Sequence, residues 1–289
     1  MWPGGIEHEH VLLLLIDAAA YMLKAGAAIQ TFYPRALHVT CVADGLHRVA
    51  DFVRIKFPVV DKLIANGKHI YLKAPHRVHA FKTAAPDLPL PPQPCITRWG
   101  TWLKAAFYYA RNFDQVSAII RDLDENDASS IASAQQALSN PEIRPQLAYI
   151  LAHFQTLTNA IESLQEQGLP LSTSLHILDG VRDSLHEEGG LVLQEEQKKF
   201  DDVQNRNPNL HIIRLINDIL CGQDGHLPEE FVMPPDALAA FKFAPITTCS
   251  LERAFSRYAN LLSDRRRALT FDNLTQHFML LCNTHNLDD

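Results

Sequence analysis

A run of six apolar residues near the start of the chain, residues 11–16, most constrains the fold, because it contains no polar side chain and ends directly in Asp17. Such a run is typical of a β-strand that is covered on both faces. An alanine-rich stretch at residues 18–29 then predicts a helix, residues 36–41 predict a second strand, and residues 44–56 predict a second helix. This order of elements is typical of an α/β unit.

Asp17 is the first candidate functional residue. In open α/β sheets, ligand-binding and catalytic residues lie at the carboxyl ends of the strands, and Asp17 follows a predicted buried strand at such an end. A carboxylate there suits Mg²⁺, which binds one or two carboxylates together with water and phosphate oxygens. With two such ions, a nuclease or transposase core can activate a water molecule. The alternative interpretation is that Asp17 caps the following helix, and the two roles are compatible.

The C-terminal region predicts two amphipathic helices. Apolar residues recur there at helical spacing, namely Leu251, Phe255, Tyr258 and Leu262 in the first helix and Leu274, Phe278 and Leu281 in the second. Thr270 suits the N-cap of the second helix. Glu252 is an acidic residue that the apolar face does not explain. An exposed apolar face normally marks a partner surface, and two packed helices with solvated charges are the alternative.

The net charge of the chain limits how it can bind nucleic acid. Its 289 residues carry a net charge of −7, and phosphate binding rests on clustered Lys and Arg. Any DNA contact must therefore be local, for example at Arg265, Arg266 and Arg267. A solvated turn is the alternative interpretation of this charge run.

Cysteine spacing and hydropathy exclude other classes. The five cysteines are scattered without a Cys-x-x-Cys pair, which favours free thiols in a reducing compartment over a disulfide framework or a zinc knuckle. The apolar run at residues 11–16 is too short to span a membrane. We therefore expect a soluble intracellular protein with no membrane partner.

The middle of the chain predicts a proline-rich connector followed by helices. Prolines crowd the sequence after Lys82, and helices do not continue through such a stretch. The helical predictions are residues 102–113, 129–138, 146–167, 171–185, 192–204 and 210–221.

Four blocks of sequence, in order along the chain, carry a family resemblance. They are Ile-Asp-Ala-Ala-Ala-Tyr-Met at residues 16–22, Cys-Val-Ala-Asp-Gly-Leu-His-Arg at 41–48, Thr-Arg-Trp at 97–99, and Ser-Leu-Glu-Arg-Ala-Phe-Ser at 250–256, the last followed by Asp-Arg-Arg-Arg-Ala-Leu at 264–269. The chain thereby resembles the hAT superfamily of DNA transposases.

The resemblance implies a helix-rich α/β fold, an incomplete ribonuclease H-like core interrupted by a large all-α insertion. Residues 1–100 would form the N-terminal part of that core, 101–245 the insertion, and 246–289 the helices that complete the core and mediate dimerisation. The resemblance further implies a nuclear protein that self-associates as a homodimer or higher oligomer, and DNA as a partner.

The resemblance also assigns candidate site residues. Asp17 and Glu252 would be two of the three carboxylates that bind catalytic Mg²⁺. Arg98 and Trp99 would lie beside the DNA end, where aromatic stacking on a base is worth roughly 1–3 kcal/mol. Dimerisation would rest on the apolar residues Leu251, Phe255, Tyr258, Leu274 and Phe278. For the nearby Trp102 we favour ordinary core packing.

Two departures from the family pattern bear on activity. The family's first catalytic Asp lies on a strand upstream of Asp17, and residues 1–10 hold no segment of that kind. Asp44 stands where the family has His, which changes charge and donor capacity. We therefore expect a catalytically incompetent remnant of a Mg²⁺-dependent DNA-cleaving enzyme, with an unpaired edge beside one of the two strands. The alternative is a non-enzymatic dimerisation module.

Overall fold

The computed structural model describes four stretches of the chain, residues 8–94, 100–186, 190–262 and 270–283. Within them the sheet consists of two parallel strands, β1 (Leu13–Ile16) and β2 (Leu37–Thr40), and the helix α1 (Ala20–Gln30) connects the two. The pairing aligns Leu13 with Leu37 and Ile16 with Thr40. The predicted order of strand, helix and strand is confirmed.

Helices make up most of the remaining described chain. They are α2 (Val42–Lys56), α3 (Pro58–Tyr71), α4 (Pro75–Ala84), α5 (Thr101–Arg111), α6 (Phe113–Arg121), α7 (Ser129–Leu138), α8 (Ile143–His153), α9 (Gln155–Ser163), α10 (Leu171–Leu185), α11 (Gly190–Asn205), α12 (Leu210–Leu220), α13 (Pro235–Ala240), α14 (Cys249–Leu261) and α15 (Phe271–Asn283). The chain is thus helix-rich with a small parallel sheet. The sequence analysis missed α3 and α4, although each begins with a proline, a residue suited to the first helical turn.

The long helix predicted over residues 146–167 is two helices. The chain leaves helical geometry at Phe154, whose φ is −114° and ψ is 11°. The side chain of Phe154 is fully buried, as are Ile150 before it and Leu157 after it. The bend lets both short helices direct apolar residues into the same core, and periodicity alone does not reveal it.

The two strands differ in how well they are covered. All four residues of β2 are buried, whereas in β1 only Ile16 is buried and the other three are half-buried. Among the described residues β1 pairs only with β2, so its other edge has no strand partner. The prediction that residues 11–16 form a strand covered on both faces is therefore wrong for most of β1.

One apolar core joins the sheet to the helical region. The helix α2 lies at its centre, with Leu46, Val49 and Val53 fully buried, and packs against α11 on one side and α9 on another. The core includes residues on both sides of position 100, where the sequence analysis places a domain boundary. That boundary stays a prediction. No helix within the described stretches is long and apolar enough to cross a membrane.

Candidate functional site

Asp17 lies where the sequence predicts it, directly after β1. Its Oδ1 accepts a hydrogen bond from the backbone N–H of Ala19 at 2.8 Å. The N-cap residue of α1 is Ala19, and no side chain caps the helix. Asp17 thus stabilises the turn before α1 but is not the N-cap residue of that helix. Its second carboxylate oxygen, Oδ2, has no hydrogen bond among the described residues.

The segment before α14 is fastened to the same end of the sheet. The backbone N–H of Val42, the first residue of α2, donates to the carbonyl of Ile246 at 3.0 Å. The N–H of Thr248 donates to Cys41 Sγ at 3.3 Å, and Cys41 in turn donates its N–H to the carbonyl of Ile16 at 2.8 Å. These three contacts place the start of α14 at the carboxyl ends of β1 and β2.

Glu252 consequently lies near Asp17, although the two are far apart in the sequence. Partial desolvation, then the charge of Asp44 and then that of Asp17, raise the pKa of Glu252. Thr248 Oγ1 donates to Glu252 Oε1 at 3.5 Å and opposes this shift. The charges of Asp44 and Asp17 therefore both act on Glu252 at this end of the sheet.

Asp44 is the member of this group that the sequence analysis did not assign. It is the third residue of α2 and half-buried. Its position offered a signal, because the resemblance places Asp44 opposite a histidine of the hAT pattern, in the first turn of the helix that follows the buried strand β2. Burial raises the pKa of the Cys41 and Cys249 thiols, and the charge of Asp44 adds to both shifts.

The carboxylates do not form a ready-made metal cage. Among the described residues no group of three His, Cys, Asp or Glu side chains has the arrangement to hold a metal ion. Mg²⁺ needs only one or two carboxylates, because water and phosphate oxygens complete its shell. Asp17 and Glu252 are the carboxylates that would contribute to such a loosely held ion.

The two cysteines at this site are structural. Cys41 and Cys249 are buried with Ala43 in a small apolar cluster. Burial, followed by the charge of Asp44, raises the pKa of Cys41 to about 12. A thiol with such a pKa is protonated at neutral pH, so it packs the segment before α14 against β2 and does not act as a thiolate ligand.

Several predicted residues lie outside the described stretches, namely Arg98, Trp99, Arg265, Arg266 and Arg267. Trp102 is described, and its packing role is confirmed: it is 8% exposed, and its indole N–H donates to Asp61 Oδ1 at 2.9 Å. Arg54 clamps the same carboxylate through two of its nitrogens at 2.7 and 3.3 Å. Arg54 and Asp61 are both partly exposed, so this hydrogen-bonded network lies at the edge of the core.

The predicted dimerisation residues lie on a hairpin of α14 and α15. The aromatic rings of Tyr258 and Phe278 meet edge to face at 5.3 Å and hold the two helices together. Leu251 and Phe255 are 50% and 61% exposed, whereas Leu274 and Phe278 are half-buried. Leu262, which belongs to the predicted apolar face of the first helix, is also exposed. Further exposed apolar residues, which the sequence analysis did not assign to this surface, are Phe271, Met279 and Leu280.

Thr270 behaves as the sequence predicts. Its Oγ1 accepts a hydrogen bond from the backbone N–H of Asn273 at 3.3 Å at the start of α15. This satisfies one of the N–H groups that a helix leaves unpaired in its first turn. The prediction that Thr270 caps the closing helix is confirmed.

Comparison of the chain with protein-family models finds no match. A search of curated proteins likewise finds none similar enough to report. The resemblance to hAT transposases therefore rests on the quoted sequence blocks.

Proposed function

We propose that this chain is a hAT transposase-like protein that no longer cleaves DNA and that retains a surface for self-association. The observation that carries the proposal is that the segment leading to Glu252 is hydrogen-bonded to the carboxyl ends of the two parallel strands, where Asp17 follows β1. The charge of Asp17 also acts on Glu252. A ribonuclease H-like active site requires an acid after a strand and a second acid on a late helix. The order of β1, α1, β2 and a C-terminal helix bearing Glu252 supports that assignment.

The loss of cleavage follows from the composition of the acidic group. Metal-dependent phosphoryl transfer relies on carboxylates that bridge two ions and remain ionised. Here Asp44 stands where the family pattern has a neutral imidazole, and it adds a further negative charge to the group. Desolvation, followed by the charge of Asp44, raises the pKa of Glu252, so this carboxyl group ionises less readily than an exposed glutamate.

An end-cleavage assay tests this part of the proposal. Labelled DNA is incubated with the full chain in Mg²⁺ or Mn²⁺, beside Asp17→Ala and Glu252→Gln variants. We expect the same background cleavage from all three proteins. Metal-dependent cleavage that disappears in Asp17→Ala would show that the chain is an active enzyme.

The α14–α15 hairpin supports the self-association. The helix α15 packs mainly against α14, so both helices leave apolar side chains uncovered. Leu251 and Phe255 are one helical turn apart, and each is at least half exposed. A contiguous apolar surface of this kind normally marks a contact with another chain. A second copy offers the same surface and can bury it symmetrically.

Light scattering tests the self-association with a matched pair of variants. Phe255 and Phe32 are exposed to similar extents, 61% and 69%, but only Phe255 lies on the hairpin. We expect the full chain and Phe32→Ser to have the mass of a dimer or larger assembly, and Phe255→Ser to shift towards the monomer. A monomeric full chain, or equal behaviour of the two variants, would contradict the proposal.

A further inference from the structure

A cleft of about 220 Å³ lies beside the acidic group, between the sheet and the helices α1, α2 and α11. Its floor is formed by the end of β2 and the start of α2, and Ala18, which follows Asp17, lines one side. Arg48, Lys199 and Arg206 also line it. The sequence analysis assigned a role to none of these three cations.

The cleft gathers positive charge on a chain that is acidic as a whole. Asp202 is the one acidic residue among those that line it. Arg48 and Arg206 are exposed, and within the described stretches neither guanidinium is held by a hydrogen bond or an ion pair. The Nζ of Lys199 lies 5.8 Å from the ring centre of Phe52. Two guanidinium groups are therefore available to a ligand.

The cleft and the acidic group adjoin along α2. Asp44 and Arg48 are four residues apart on this helix and so project from the same face, about 5–6 Å apart at their Cβ atoms. A ligand that extends along this face meets cations first and carboxylates next. A chain of phosphate groups has the matching chemistry, because guanidinium binds phosphate oxygens directly and carboxylates bind them through a divalent ion.

The walls of the cleft are held in place before any ligand binds. Asn207, the residue after Arg206, is buried and hydrogen-bonded to both backbone polar groups of Thr40 on β2. The helix α11, which carries Lys199, packs extensively against α2, which carries Arg48. The three cations thus project from fixed backbone positions, which lowers the ordering cost of binding.

We propose that the cleft lined by Arg48, Lys199 and Arg206 is a phosphate-binding site that takes the backbone of a nucleic acid strand. The identification of nucleic acid as the ligand rests on the proposed function. The identification of phosphate as the group that binds rests on the cleft alone. It adds a contact surface on the helical region to the acidic group at the end of the sheet. It also explains how a chain with a net charge of −7 can contact DNA locally.

Fluorescence anisotropy with labelled single-stranded and duplex DNA tests the site over a range of salt concentrations. The variants are Arg48→Gln and Arg206→Gln, and Lys198→Gln is the matched control because it removes an exposed charge next to Lys199 outside the cleft. We expect each arginine variant to weaken binding about fivefold or more at low salt. Each should also reduce the slope of log affinity against log salt by about 0.7–0.9.

A parallel arm with inorganic pyrophosphate separates the two sources of phosphate. We expect pyrophosphate to raise the melting temperature of the full chain and of Lys198→Gln more than that of the arginine variants. Protection by pyrophosphate without DNA binding would support the phosphate site and contradict the choice of nucleic acid as its ligand. If the full chain binds DNA and the arginine variants bind it equally well, the proposed site is wrong, while the proposed function is not contradicted. Absence of both effects would overturn the site as well.

Discussion

The side-chain amide of Asn207 pairs with the backbone of Thr40 as a neighbouring strand would. Asn207 Oδ1 accepts from the Thr40 N–H at 2.9 Å, and Nδ2 donates to the Thr40 carbonyl at 2.8 Å. The N–H of Asn209 donates to the carbonyl of His38 at 3.2 Å on the same strand. The connection between α11 and α12 thereby covers the edge of β2 that β1 does not occupy.

Removing this amide should destabilise the fold. In Asn207→Ala both polar groups of Thr40 lose their partner in a buried place, and each costs about 1–3 kcal/mol. We expect urea denaturation to show a loss of about 2–4 kcal/mol. Asn205→Ala, an exposed asparagine at the end of α11, is the control and should have little effect. Equal stability of the two variants would mean that the pairing does not hold β2.

Asn207→Asp separates the two hydrogen bonds. A carboxylate can still accept from the Thr40 N–H, but it places a second acceptor against the Thr40 carbonyl. Protonation restores a donor on that side. We therefore expect Asn207→Asp to have a lower free energy of unfolding than the unchanged chain at neutral pH. This difference should shrink at acidic pH, as measured by urea denaturation of both proteins under neutral and acidic conditions.

Glu196 should make the stability of the protein depend on pH. Its side chain is fully buried in α11, and both carboxylate oxygens lack a hydrogen-bond partner among the described residues. Burial raises its pKa from 4.5 to about 8, with Glu195 adding to the shift and Lys56 and Lys199 opposing it. Burial raises the pKa of Tyr149 on α8, and the charge of Glu196 adds to that shift.

The sign of this dependence follows from proton linkage. The folded protein keeps the Glu196 proton to higher pH than the unfolded chain, so this stabilisation is complete below about pH 4.5 and is lost as the pH rises to about 8. The loss amounts to roughly 3–5 kcal/mol. We expect Glu196→Gln to remove this slope in thermal or urea unfolding, and the exposed Glu195→Gln to retain it. A slope unchanged in Glu196→Gln would contradict the assignment.

The approach of α3 to α5 depends on a glycine. A Cβ placed at Gly67 would overlap the hydroxyl of Tyr109, which is buried and has no hydrogen-bond partner among the described residues. We expect Gly67→Ala to cost about 1–3 kcal/mol, as overpacking does. Tyr109→Phe removes the obstructing oxygen and should be close to neutral alone.

A double-mutant cycle completes this test. If the clash is the cause, Gly67→Ala combined with Tyr109→Phe should be more stable than Gly67→Ala alone, with a coupling of about 0.5–3 kcal/mol. Additive effects of the two substitutions in urea denaturation would show that Gly67 matters for another reason, such as the flexibility of the helix backbone.

The local spacing of apolar residues was enough to predict several helices and both strands. The helices α7 and α10 begin and end where apolar spacing places them, and both strands lie within the predicted runs. The position of Asp17 follows from the strand before it. The bend at Phe154 was not predictable in this way, because helical spacing continues through it and only burial on both sides requires it.

The parts of the site that were not predicted arise from contacts between distant segments. Arg48 and Lys199 belong to helices far apart in the sequence, and their meeting in one cleft depends on the packing of α11 against α2. The closeness of Asp44 to Glu252 depends on the hydrogen bond between Thr248 and Cys41. No spacing rule within a single element contains this information.

Cysteine labelling can test whether the segment before α14 is seated on β2. Cys221 is exposed, whereas Cys41 and Cys249 are buried. Burial raises the pKa of both buried thiols, that of Cys41 to about 12, so almost no thiolate is available at neutral pH. We expect a thiol reagent followed by peptide mapping to modify Cys221 quickly in the native protein, and the two buried thiols only as fast as the segment opens.

Denaturant supplies the reference for this measurement, because all three thiols should react at similar rates in the unfolded chain. The protection of Cys41 reports directly on the contact with Thr248 that brings Glu252 towards Asp17. If Cys41 reacted in the native protein as fast as Cys221, the segment would not be held on β2. The acidic group, and with it the proposed relation to transposase active sites, would then lose its structural basis.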